Sequence, residues 1–274
     1  MKADLHCHTI HSDGIYSVFD TCLLAKERNI DVLAITDHDT LDGYKSYLEV
    51  KDKLPIKLLV GVELSTWYMG ENVHILGYFY KNSNPGEELL IFLDDIKNKR
   101  ILRAKKMISN LKEMFGLEVE YEEIAALHKE IIARPHIARY VAEKYNLTVK
   151  EVFDKYLSNK SPAFVPTSNT STKEAIDLLK RNNAIAVWAH PVHNKNKFNE
   201  LDIIEMGIDG IEGFYPDNTK EDTMYYRELA NKYNLLFTAG SDFHDHVTHS
   251  EIGTSYIEDE DINKLFNKLE IDTK

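Results

Sequence analysis

In the N-terminal third of the chain the apolar positions come in short runs, and each run ends at a polar cluster. With residues 4–8 extended, period-2 alternation sends Asp4, His6 and His8 to one face and Leu5 and Cys7 to the other. Ser17 is placed to cap a helix reaching about Asn29, with Val18, Cys22 and Ala25 on one face. Val32-Leu33-Ala34-Ile35 reads as a buried strand that stops at Thr36-Asp37-His38-Asp39. Lys57 to Val62 is a second that runs into Glu63, and after a turn at Gly70 a third spans Val73 to Tyr78, with His74 near its start. Short buried strands ending in acid or histidine are the pattern of an α/β barrel read at the C-terminal ends of its strands.

From Pro85 to about Ala163 helical periodicity takes over. Glu87 to Met114 predicts one long helix with Leu90, Leu93, Ile96, Ile101, Ala104, Ile108 and Leu111 as its apolar positions, followed by helices at Arg134–Tyr145 and Thr148–Ser158. The last opens with Thr148-Val149-Lys150-Glu151, a capping-box pattern. The β/α rhythm then returns. Ser171 to Glu174 opens a helix to about Asn183, and Ala184–Ala189 forms a strand delivering His190-Pro191. A strand over Gly210–Tyr215, a helix over Lys220–Tyr233 and a strand from Leu235 to Gly240 follow, the last ending at Ser241-Asp242-Phe243-His244. Ile252–Ile257 is expected as a closing strand and Ile262–Leu269 as a terminal helix. The fold class is therefore α/β: a distorted barrel from residues 1–84 and 164–274, interrupted by a helical insertion at 85–163.

Composition narrows the function. The chain has 274 residues, enough for one large barrel, and a net charge of −12 argues against general coating of nucleic acid or membrane. Two cysteines cannot build a disulfide framework. No leader precedes Asp4 and no run of about 18 apolar residues occurs, so the expectation is a cytoplasmic protein without a membrane span.

Against that ordinary background the strand-end clusters stand out. His6, His8 and Asp13, then Asp37 and His38, Glu63, His190, and Asp242 with His244 close five separate strands, and His74 lies beside them. A His pair alone cannot complete a divalent site, which takes about four or more ligands, so recruitment from several strands is what metal binding requires. Imidazoles mixed with a few carboxylates suit Mn, Fe or Zn better than Mg or Ca. Asp4 and Asp37 are candidates to orient ligand imidazoles or to hold the backbone. His11, His128, His193, His246 and His249 are read as surface or loop residues, with His246 and His249 near the pocket rim.

The ordered set Asp4-Leu5-His6-Cys7-His8, Asp13-Gly14, Ile35-Thr36-Asp37-His38-Asp39, Gly61-Val62-Glu63, His74-Ile75-Leu76-Gly77, Ala189-His190-Pro191 and Gly240-Ser241-Asp242-Phe243-His244 resembles the polymerase and histidinol phosphatase (PHP) family of metal-dependent phosphoesterases. The resemblance implies a distorted (β/α)₇ barrel holding two or three divalent ions. By the family pattern one ion would take His6, His8, Glu63 and Asp242, a second Glu63, His74 and His190, and a third Asp13, His38 and His244. Glu63 would bridge, and Glu63, Asp242 and His244 would carry catalysis, with a hydroxide between the ions as nucleophile in place of a Ser or Cys.

Within the insertion, Arg134-Pro135-His136-Ile137-Ala138-Arg139 is similar to an element of the subgroup that hydrolyses nucleoside 3′,5′-bisphosphates and trims short RNA from its 5′ end, with Val152–Leu157 and Phe164-Val165-Pro166 as further matches. The resemblance gives Arg134 and His136 to the substrate phosphates. The segment Val192-His193-Asn194-Lys195 departs from the subgroup, which carries aromatic and basic residues there after a Gly. The basic run from Lys97 to Lys106 is read as a solvated helix face rather than an RNA track. The expected substrate is a small phosphorylated nucleotide, with short RNA as an extension of the same chemistry and no stable DNA binding. The rivals are a phosphatase of another metabolite, such as histidinol phosphate, and a non-catalytic metal-binding module.

Overall fold

A computed structural model describes residues 1–81, 85–127, 132–165, 170–246 and 250–272. His128, Pro166, His249 and the expected boundary at residue 84 lie outside these.

Among the described residues eight strands form one sheet: β1 (Lys2–Cys7), β2 (Val32–Ile35), β3 (Lys57–Tyr68), β4 (Glu71–Phe79), β5 (Ala184–Trp188), β6 (Gly210–Phe214), β7 (Leu236–Ala239) and β8 (Ile257–Glu258). Their order is β7-β6-β5-β4-β3-β2-β1-β8. The sheet curls until its two ends nearly meet. The chain leaving β7 lies against β1, with Asp242 N–H donating to His6 O (2.8 Å) and His8 N–H to Phe243 O (2.9 Å). At the other end of β1 the antiparallel β8 pairs with Lys2 and Ala3. The edge of β1 is thus covered along its length, which protects it from pairing with another chain.

Pairing is parallel except where β4 is involved and at β8. The reversal of β4 follows from the two-residue turn Met69-Gly70, both at positive φ (52° and 89°), as a tight hairpin requires. This reversal matters for the site. In a strand running backwards the residue near its start lies at the end where the parallel strands finish, so His74 joins the C-terminal ends of its neighbours.

The helices on the barrel are α1 (Val18–Glu27), α2 (Asp42–Val50), and, after the insertion, α7 (Thr172–Arg181), α8 (Glu200–Glu205), α9 (Lys220–Lys232) and α10 (Asp259–Lys268); the insertion contributes α3 (Glu87–Phe115), α4 (Tyr121–Ala125), α5 (Arg134–Tyr145) and α6 (Val149–Val152). Ser17, Thr148 and Ser171 each accept a backbone N–H at a helix start, as their positions predict. The 29-residue α3 spans two cores. Leu89 and Leu93 pack into the barrel core, whereas Ala104, Met107, Ile108 and Leu111 enter a separate core with Ile137, Val141, Val152 and Leu157.

Several expectations change. Leu90 is exposed and the inward residue is Leu89, because the helix phase is set by packing on the barrel rather than by hydrophobicity alone. Strand character near the C-terminus is confined to Ile257–Glu258; Ile252–Tyr256 turns, with Gly253 at φ 78° donating its N–H to Asp4. Residues Phe153–Leu157 wind as a π-helix after α6. The short α2, α4 and α8, nine, five and six residues long, are not among the predicted elements.

Cys7 and Cys22 are free and wholly buried, and burial pushes the Cys7 thiol well up and that of Cys22 to about 12. Neither should react with a disulfide reagent at pH 8 until the chain is denatured, when both titrate. Rapid labelling of the native protein would contradict this packing.

Candidate metal centre

The barrel delivers its polar residues to one place. His6 sits near the end of β1 with His8 just beyond, His38 follows β2, Glu63 lies on β3, His74 on the reversed β4, His190 follows β5, and Asp242 and His244 follow β7. Two of these turns hold residues with left-handed backbones, His190 (φ 30°) and Asp242 (φ 53°), a conformation disfavoured for non-glycine residues and found where a site dictates side-chain direction. Gly240 allows the tight approach between β7 and β1. A Cβ there would stand 2.1 Å from His6 Cβ and 2.7 Å from a Glu212 oxygen.

Among the described residues three groups of ligand-competent atoms result: His6, His8, Glu63 and Asp242; His38, Glu63 and His74; and His8, Asp13, His38 and His244. In the first, His6 Nε2 lies 3.1 Å from His8 Nε2, 3.2 Å from Asp242 Oδ1 and 3.3 Å from Glu63 Oε2, while His8 Nε2 is 3.1 Å from Asp242 Oδ1 and 3.2 Å from Glu63 Oε2. Two ligands each about 2.1 Å from one ion and about 90–109° apart are themselves roughly 3.0–3.4 Å apart. The spacing therefore fits a common cation. Glu63 reaches both ways: its Oε1 is 2.8 Å from His74 Nδ1 and 3.1 Å from His190 Nε2, and its Oε2 is 3.0 Å from His38 Nδ1. His244 Nε2 lies 3.1 Å from Asp13 Oδ1.

The fit to metal can be tested on hydrogen bonding. Asp13 Oδ1, His38 Nδ1, Glu63 Oε2 and Asp242 Oδ1 are buried and, among the described residues, have no hydrogen-bond partner, although other polar atoms stand close to them. Buried polar atoms are nearly always satisfied, so four orphans aimed at one centre point to a cation. Electrostatics agree. Burial alone would raise the Glu63 carboxyl, but His38, His6 and His74 outweigh it and hold it well below the usual range. Asp13 and Asp242 are likewise held well down against burial, Asp13 mainly by His244 and His38 and Asp242 mainly by His6 and His244. Burial opposes protonation of His6 and His244, yet the surrounding carboxylates push His6 well up and His244 to about 9. Protons and divalent cations are thus competing ligands for the same nitrogens.

A ring of supporting groups aims these side chains. Glu212 on β6, fully buried, has Oε1 3.0 Å from His6 Nδ1 and accepts His190 N–H through Oε2 at 2.8 Å. It fixes the His6 ring so that Nε2 faces the cluster. Sequence reading passed over it because it ends no strand; the pattern Ile211-Glu212-Gly213, a charge inside an otherwise apolar run, was its only signal. Asp37 accepts from Thr9 N–H, Thr9 Oγ1 and Ser12 Oγ, each at 2.7 Å, and Ser12 Oγ stands 3.4 Å from His8 Nδ1. Asp4 accepts the backbone N–H groups of Ser241 (2.9 Å) and Gly253 (2.8 Å). Among the described residues Asp4 therefore holds backbone and not an imidazole, and Asp37 reaches one through Ser12.

The structure separates the two residues assigned to substrate phosphate. Arg134, at the start of α5, lines a cavity of about 560 Å³ shared with His74 and His190. His136 is buried, accepts Ala133 N–H on Nδ1 at 3.0 Å, and lines a different cavity of about 680 Å³ with Ile10, Ser12, Gly14 and Arg139. Arg139 pairs with Asp245 at 2.8 Å. The basic run on α3 also divides. Lys99, Lys105 and Lys106 are solvated, but Lys97, Arg100 and Arg103 turn inward, Lys97 to Asp42, Arg100 to Asp39 and Ser65, and Arg103 to Val165 O. Their i, i+3, i+6 spacing places them on one face, so only part of the run is a solvated surface. His193 is exposed and pairs with Asp217; His246 bonds Tyr16 and Glu251. Among the described residues no helix is long and apolar enough to cross a membrane.

Comparison with known proteins gives a match to the PHP domain over residues 4–185. A 5′-3′ exoribonuclease of Haemophilus influenzae is 29% identical, over 92% of this chain and 93% of its own. A phosphoribosyl 1,2-cyclic phosphate 1,2-diphosphodiesterase of Eggerthella lenta is 28% identical over 89% and 94%, and a 3′,5′-nucleoside bisphosphate phosphatase of Chromobacterium violaceum is 28% identical over 88% and 86%. A crystal structure of a candidate metal-dependent phosphoesterase from Bifidobacterium adolescentis superposes with a TM-score of 0.87 at 28% identity, covering 97% of this chain and 96% of that one.

Proposed function

The chain belongs to the PHP domain family and is a metal-dependent phosphoesterase, and from that premise we propose that it hydrolyses small nucleotide phosphates, foremost the 3′-phosphate of nucleoside 3′,5′-bisphosphates. The observation that carries this reading is the convergence of six imidazoles and three carboxylates, Glu63 among them, whose two oxygens face different histidines. His6, His8, Glu63 and Asp242 would hold one ion, Glu63, His74 and His190 a second, and Asp13, His38 and His244 a third, with Mn, Fe or Zn suited to the donor set. When bound, such ions lower the pKa of water and polarise phosphoryl oxygens.

The protein's own part is positional. Glu63, Asp242 and His244 would keep the reacting phosphate in register with the attacking oxygen, and His74 and His190 line the cavity through which substrate would enter. Hydrolysis forms a bond from water oxygen to phosphorus and breaks the bond to the ribose 3′ oxygen. The 3′ hydroxyl leaves with a proton, giving a nucleoside 5′-phosphate and inorganic phosphate. Arg134 would hold the rest of the nucleotide, whereas His136 accepts the Ala133 N–H at the start of α5 and lines a second cavity with Ser12 and Gly14. Short 5′-phosphorylated RNA is an extension of the same reading, supported by the exoribonuclease relative.

The test is phosphate release by the Mn²⁺-reconstituted protein from adenosine 3′,5′-bisphosphate, histidinol phosphate and phosphoribosyl 1,2-cyclic phosphate, with nucleotide release from a short 5′-phosphorylated RNA measured alongside. The bisphosphate should give the highest kcat/KM. Turnover confined to the cyclic phosphate or histidinol phosphate would overturn the substrate assignment, and metal-replete protein with no turnover of any phosphoester would support a binding module instead.

A further inference from the structure

The chain has two tryptophans, and the fold uses them differently. Trp188 on β5 is fully buried, stacks on Phe198 with ring centroids 6.1 Å apart and donates Nε1–H to Asn194 Oδ1 at 3.3 Å. Trp67, near the end of β3, is 38% exposed and lines the cavity of about 560 Å³ that His74 and His190 share. Single exposed apolar side chains are ordinary on a protein surface, but an indole in the wall of a site cavity is a large flat face withheld from the core.

Strand geometry puts it there. β3 and β4 pair in unbroken register from Gly61 to Tyr68, with Ser65 opposite His74 and Trp67 opposite Asn72. Alternate residues and directly opposed residues share a face, so Glu63, Ser65 and Trp67 lie on the side of the sheet that carries the metal cluster. Trp67 stands about 13 Å along the strand from Glu63. Its N–H donates to Thr170 O at 2.9 Å and it bridges to Ser171, which fixes this end of β3. The other rings of the cavity are occupied. Phe164 is covered by the guanidiniums of Arg103 at 5.8 Å and Arg134 at 5.3 Å, His74 packs edge-on against His190 at 5.1 Å, and His193 meets His190 at 5.1 Å. Among the described residues the Trp67 ring has neither a ring nor a cation partner. An open indole face beside a phosphoester site suits a planar base, since every base has a π-face to stack.

We propose that Trp67 is the platform on which the nucleobase of the substrate stacks. The inference deepens the nucleotide reading above and rests on it for the class of substrate. With the phosphate at the histidines, the ribose spans the gap along β3 and the base lies on the indole. Two consequences follow: phosphates that carry a base are preferred over sugar phosphates without one, and the identity of the base matters little, because stacking does not read base edges.

The test compares kcat/KM for adenosine 3′,5′-bisphosphate and for its abasic counterpart, the same ribose bisphosphate without a base, in the wild type, Trp67→Ala and Trp67→Phe, with thermal melts to verify folding. The wild type should prefer the nucleotide. Trp67→Ala should lose about 5–100-fold of that preference, mostly through KM, as expected for one stacked base, and Trp67→Phe should keep part of it. A wild type without the preference, equal losses on both substrates, or no loss would overturn the platform. If the wild type turns over neither bisphosphate, the substrate reading fails and the platform is judged by binding to the metal-free protein. Adenosine 5′-monophosphate should then quench the tryptophan emission of the wild type and ribose 5-phosphate should not, with no quenching in Trp67→Phe, where Trp188 is the remaining indole. Quenching that is absent from the wild type, matched by ribose 5-phosphate, or retained in Trp67→Phe would refute it.

Discussion

Glu63→Gln should abolish metal retention and phosphoesterase activity together, with kcat falling by on the order of 10³-fold or more. Its carboxylate reaches five of the six clustered histidines. Its Oε1 approaches His74 and His190, and its Oε2 approaches His6, His8 and His38. Glutamine keeps the shape but replaces one oxygen by an NH₂ group, which cannot ligate a cation and would point a donor at it. The amide also removes the negative charge that, with Asp13 and Asp242, would balance the ions. Metal content by elemental analysis, kcat on the best substrate and circular dichroism should separate this from misfolding. A folded variant with full metal and full activity would exclude Glu63 as the shared ligand.

Glu212→Gln should give the second-largest loss, about 10–100-fold in metal affinity and activity, although Glu212 is none of the nine clustered residues. Its carboxylate holds His6 through Nδ1 and takes the N–H of His190, tying two strand ends to one fully buried group. A glutamine there can present its NH₂ to Nδ1, favouring the tautomer that places the proton on Nε2, where a cation would bind. The readout is a competition titration with a chelator, compared with Glu212→Asp, which keeps the charge. Unchanged affinity in the glutamine variant would mean that Glu212 serves packing alone, beside Gly240.

The chemistry of the strand ends was readable because it is local. A strand that breaks off at Thr36-Asp37-His38-Asp39, or at Ser241-Asp242-Phe243-His244, announces polar side chains at a barrel mouth whatever the remainder of the chain does. Ser17, Thr148 and Ser171 were legible as caps for the same reason, since each bonds an amide within three residues. Helix phase and helix-to-barrel contacts were not. Leu89 in place of Leu90, the inward turn of Arg100 and Arg103, and the parting of Arg134 from His136 into different cavities all depend on where α3 and α5 dock.

By itself, then, the sequence determined an α/β barrel with a helical insertion, and it marked the histidines and carboxylates at the strand ends, because both follow from local periodicity and residue chemistry. Only the tertiary structure decided which of those atoms approach one another, that β4 runs backwards and so brings His74 to the cluster, and that Glu212 stands behind His6. It also set Arg103 and Arg134 over one phenylalanine. Those outcomes depend on pairing register, helix docking and the closure of β7 onto β1, contacts between residues tens to hundreds of positions apart that no local pattern encodes.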